Sequence, residues 1–207
     1  MVVDAEVRAQ LAAAVGSVAG LVDELAGVVA SPSAAGAPYR LPDADADPLQ
    51  ELSEACLDGL GVLARVEAAT AALKVQLVAA YTEATAVLEG PPASAYEASA
   101  REVSRVAEVA CVLTIGERAA SALLGEAHAL TTSLPAALDA LQTGTIGWQH
   151  ARIVVDETTG LSPAAASALE AHFFDPDAPR PARGAAPGEL APARFRRKVR
   201  AWRERHH

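Results

Sequence analysis

Aromatic side chains are scarce in this chain: two Trp, three Tyr and three Phe among 207 residues. Aromatic and β-branched residues fill strands, whereas alanine, present 50 times, is the best helix former. That balance argues against a β-sandwich or barrel and points to an all-α fold. Cysteine is scarce too. Cys56 and Cys111 are too few for a disulfide framework and lack metal-ligand spacing. Both lie in apolar helical stretches and are expected to be buried free thiols, as suits a reducing cytoplasm. The opening MVVDAE is acidic where a signal peptide would be basic. The longest early uncharged run, Ala9 to Val22, falls short of a membrane span. A cytoplasmic protein with no membrane partner is expected, long enough to bury a core without disulfide or metal.

Charge is unevenly placed. Residues 1–175 hold 8 Lys+Arg against 23 Asp+Glu, and residues 176–207 hold 9 against 3, which together make the net −9. An acidic body with a basic end repels a polyanion over most of its surface and attracts it at one place.

Apolar residues keep helical spacing nearly throughout. One helix is expected over 4–29 within an N-terminal segment 1–30, followed by a Pro/Ala/Asp-rich linker, 31–48. The helical core domain spans 49–174. It starts with a long helix, about 49–88, whose apolar stripe reads Leu52, Cys56, Leu60, Leu63, Val66, Ala69, Leu73, Leu77 and Ala80. Gly90-Pro91-Pro92 ends that helix. One or two helices follow over 94–113, then others to about 130, after Pro135, over 147–158 and from Ser162-Pro163 to Phe174. Residues 175–189 read as a linker and 190–207 as a basic helix. The expectation is a compact bundle of about eight helices with no sheet.

The segment EVACVLTIGERAASALL (108–124) has the spacing of a helix-turn-helix, with Ala110, Leu113, Ile115, Ala120 and Leu123 at its apolar places. Thr114 stands where Gly is common in the turn. Outward positions of the second helix include Glu117, Arg118 and Ser121. Arg118 is the one guanine-type donor among them, and Glu117 beside it is repelled by phosphate. A DNA-contacting element and a plain helical hairpin both fit.

Downstream, LPAALDALQTGTIGWQHARIVV (134–155) with its H-A-R resembles the DNA-binding core of ParB-type partition proteins. From about Glu51 onward, through SLPAALDALQTGTIGWQHARIVVDETTGL and the basic last helix, roughly three quarters of the chain resembles the actinobacterial domain-of-unknown-function 222 (13E12 repeat) family. That resemblance implies a helical domain preceding an HNH nuclease domain that would carry the divalent metal. No residue here matches the nuclease site, and the chain is expected to stop before it, at His206-His207.

Catalytic and metal-ligating residues are therefore expected to be absent, with no cofactor in this chain. His150, inside GTIGWQHAR, reads as a packing or capping residue, with phosphate contact as the alternative. Asp156-Glu157 are adjacent on a helix, diverge by ~100°, and make no acid/base dyad. The last helix carries seven basic residues, Arg194, Arg196, Arg197, Lys198, Arg200, Arg203 and Arg205, around an apolar stripe of Phe195, Val199 and Trp202. With Arg118, Ser121 and Arg152 these are the candidate DNA-binding residues. The reading is a non-catalytic accessory domain that associates with double-stranded DNA and positions an HNH-type nuclease. An oligomerisation or protein-interaction module, pairing through the 49–88 stripe as a homodimer, is its rival.

Overall fold

The computed structural model describes residues 2–30, 48–175 and 185–206, so most of the two expected linkers lies outside the described residues. Within them the protein is all-α, with eight α-helices, one short 3-10 turn and no strand. The helices are α1 (Val2–Ala30), α2 (Pro48–Glu89), α3 (Ala95–Leu113), α4 (Glu117–Thr132), α5 (Pro135–Gln142), α6 (Trp148–Thr158), α7 (Pro163–Phe174) and α8 (Pro192–His206). The turn is Pro187–Glu189.

α1 and α2 form an antiparallel pair. Val28 lies against Gly59, Glu24 accepts a 2.6 Å bond from Arg65, and Val7 shares a groove with Ala80. The buried and half-buried positions of α1 are mostly 7, 11, 14, 18, 21, 25 and 28, and those of α2 facing it are 59, 62, 66, 69, 73, 76 and 80. Steps of three and four alternate in both sets, the signature of a coiled-coil seam. The small residues Ala14, Gly59 and Ala69 let the two backbones approach. Over Ala5–Val28, α1 is long and apolar enough to cross a membrane by length and composition, which the uncharged run alone is not. Here it lies along α2.

The expected α2 stripe is corrected by this geometry. Val66, Ala69, Leu73 and Ala80 belong to the α1 seam, but Leu52, Cys56, Leu60, Leu63 and Leu77 are exposed. The cause is a third face: Ala68, Ala72, Val75 and Val78 are the residues that bury into the domain core with α4 and α5. A helix flanked on two sides leaves its remaining face to solvent. Both cysteines are also exposed, not buried as expected. Cys56 falls on that open face, and Cys111 lies on the outer side of the last turn of α3.

Local chemistry explains the helix ends. Ser94 and Ser162 cap α3 and α7 by accepting the backbone N–H of Glu97 and Ala165. Pro135 and Pro163 start α5 and α7, where a missing donor costs nothing. The α5 start is capped from elsewhere in the chain. Glu170 of α7, buried, accepts the Ala137 N–H at 3.0 Å. Its burial raises the carboxyl pKa against the lowering effect of the two α5 N–H groups it faces. Gly144, at φ +73, presses against the Cβ of Arg65, so a side chain there has neither the backbone angle nor the room. The largest fully buried side chains include Leu130, Leu134, Leu141, Leu169 and Phe195, which join α4, α5, α7 and α8 in one core.

Candidate nucleic-acid interface

The last helix is seated on the domain by an apolar stripe and one acidic anchor. Phe195 and Val199 are fully buried and Trp202 nearly so, packed chiefly against α6 and more lightly against α7. Phe195 meets His150 and Phe173, and Trp202 stacks between His172 and His206. Beside this stripe, Glu157 of α6 is 5% exposed in its side chain and receives three arginines of α8. Arg200 bonds it at 3.0 Å, with Arg196 and Arg203 at 3.6 and 3.7 Å. Arg196 also reaches Asp156 at 2.8 Å.

The approach to α8 is pinned as well. His150 Nε2 donates to the carbonyl of Leu190 at 2.7 Å, while His150 Nδ1 is buried without a partner. Leu190 is buried. Gly188, in the 3-10 turn, sits so tightly on the Thr145 carbonyl that a Cβ would come within 1.8 Å of it. The end of the expected 175–189 linker is thus packed onto the α5–α6 loop.

These contacts sort the eight candidate residues on α6 and α8 into two groups. Arg196, Arg200 and Arg203 hold α8 to the body, and Arg152 is bonded to Glu126 of α4 at 2.7 Å. Arg194, Arg197, Lys198 and Arg205 are exposed and make no ion pair among the described residues. Spaced by three, one and seven, they fall on one face of α8 over roughly 16 Å. Arg118 and Ser121 are exposed on α4, with Glu117 equally exposed beside them.

α3 and α4 are joined by a three-residue turn. Ala110, Ala120 and Leu123 are buried at their crossing, while Leu113 is half-buried and Ile115 is 37% exposed. Thr114 takes the left-handed conformation, φ 54°, and its N–H bonds back to Ala110 and Cys111. Tyr81 of α2 braces the other side of α3 by donating to Glu108 at 2.5 Å. Burial first and this carboxylate second push the Tyr81 pKa up to about 12.

The anchoring role of Asp156 and Glu157 was missed in the sequence, where they read only as carboxylates too divergent for a dyad. One signal was there: Arg196, Arg200 and Arg203 share one side of the Phe195–Trp202 stripe, so they needed a common acidic partner. Among the described residues no three His, Cys, Asp or Glu side chains gather as a metal site.

No family model matches the chain, and neither a curated protein nor a solved structure matches it. Any functional reading therefore rests on the residues themselves.

Proposed function

We propose that this chain is a non-catalytic accessory domain that associates with double-stranded DNA in the cytoplasm, consistent with a role in positioning an HNH-type nuclease. One observation carries the reading: docking uses three arginines of α8 and leaves Arg194, Arg197, Lys198 and Arg205 as an exposed row. Docking also fixes the helix that carries the row, so its backbone need not be ordered at the moment of binding. Glu157 and Asp156 neutralise the cations on the body side, which directs the remaining charge outward. Arg118 and Ser121 supply a lesser, base-reading contribution, opposed by Glu117.

The test is fluorescence anisotropy of a labelled duplex across a salt series. Four phosphate contacts give log K against log salt a slope of about −3 to −4. Replacing Arg194, Arg197, Lys198 and Arg205 together by Gln removes most binding. Arg118→Ala costs about 1–3 kcal/mol and alters mainly sequence preference. Absence of any salt-sensitive binding at low ionic strength overturns the DNA reading.

A further inference from the structure

The open face of α2 carries a second seam. Positions 56, 60, 63, 67, 70, 74 and 77 alternate steps of four and three, displaced by one residue from the seam that holds α1. All seven are exposed. Among them Leu60, Leu63 and Leu77 are exposed by 61%, 40% and 49%. Leu52 and Leu88 lie on the same side of the helix, 60% and 84% exposed, with Tyr81, half-buried and bonded to Glu108 of α3, between Leu77 and Leu88. A scattered surface leucine needs no explanation, but leucines at seam spacing on either side of a polar Glu67–Thr70–Lys74 centre mark an interaction surface.

The row has the same character read in either direction from Thr70. Turning α2 end over end about that residue sets Leu63 on Leu77, Cys56 on Ala84 and Leu52 on Leu88, and brings Glu67 within one residue's rise, ~1.5 Å along the axis, of Lys74. Apolar meets apolar, small meets small, and acid meets base. A two-fold interface requires this property, because residue i meets j while j meets i. Glu67 and Lys74 lie two turns apart, roughly 10 Å along their own helix, too far to pair with each other within one chain. Both are exposed, and neither has an ion-pair partner among the described residues.

α1 broadens the same flank. The Arg65–Glu24 bond marks one side of the α1–α2 seam. Val15 and Val22, 53% and 46% exposed, occupy the opposite side with Leu63 and Leu77. A second hairpin laid there would contact both helices.

We propose that a second copy of this chain docks antiparallel on this row, with the two-fold axis at Thr70, so that two α1–α2 hairpins form a four-helix bundle. This inference is independent of the DNA reading. Light scattering at tens of micromolar is expected to give twice the 21.2 kDa chain mass. Glu67→Lys and Lys74→Glu each place like charges across the axis twice and weaken the dimer roughly tenfold or more at low salt. The double variant restores it. All three keep the wild-type circular dichroism, since both positions are exposed. In a Cys56→Ser, Cys111→Ser background, Thr70→Cys forms an interchain disulfide on mild oxidation and Ala64→Cys does not. A mass near 21.2 kDa, a dimer indifferent to the single charge changes, or a double variant that fails to recover overturns the proposal.

Discussion

Arg200 of α8 sets its Nη2 3.0 Å from Oε1 of Glu157, a carboxylate on α6 that is almost wholly buried while the arginine is 58% exposed. The pair is asymmetric: the acid depends on its partners, and the bases do not depend on the acid. Removing Arg200 leaves Arg196 and Arg203 beside Glu157, whereas removing Glu157 returns Arg200 and Arg203 to water and leaves Arg196 on Asp156. Arg200→Ala is expected to cost less than about 1 kcal/mol, as for exposed pairs. Glu157→Ala is expected to cost about 1–2 kcal/mol, below the usual figure for a broken buried pair because the arginines remain solvated. Urea unfolding of the two variants measures the difference.

Gly188 controls the seating of α8 by sterics alone. A methyl group there collides with the Thr145 carbonyl, so the turn must shift. Gly188→Ala is expected to cost about 2–3 kcal/mol, at the upper end of overpacking. Trp202 fluorescence shifts to the red as its pocket opens. An unshifted spectrum with unchanged stability refutes this.

Thr114 is strained where glycine would be at ease. Its φ of 54° places a β-branched residue in the left-handed region. Thr114→Gly is expected to stabilise the protein by about 1 kcal/mol through relief of that strain, read as a higher urea midpoint at unchanged m.

Acid is expected to loosen the α8 seat through His172. Burial first, then the positive charges of His206 and Arg205, hold its pKa below the usual histidine value. The unfolded chain therefore binds the proton more readily than the folded one. Stability from this residue is present above pH 6.5 and lost as pH falls from there through the folded pKa. His172→Phe keeps the stack on Trp202 without titrating. Thermal melts between pH 7 and 5 should show a smaller loss for the variant than for the native chain.

Alanine abundance, helical periodicity and punctuation by Ser94, Pro135, Ser162 and Pro163 were enough to read an all-α fold of about eight helices, the number found among the described residues. These signals are local: propensity, caps and the fixed φ of proline act within a turn or two. The Phe195–Val199–Trp202 stripe was legible for the same reason, because a basic helix with one apolar edge has one way to dock. Which face of α2 is inside was not legible. Leu60 and Leu63 are more apolar than Ala68 and Ala72, yet the alanines are buried, because close packing of α2 against its neighbours selects small side chains. Hydropathy measures transfer from water and carries no information about how near the next helix lies. The division of the arginines had the same origin. Arg196, Arg200 and Arg203 share one side of α8 and Arg194, Arg197 and Lys198 another, but which side is neutralised depends on where the fold places Glu157, 43 residues before Arg200. Sequence alone determined the helices and their ends. Tertiary packing decided which surface each helix buries and which charges remain free, because both depend on contacts between residues far apart in the chain.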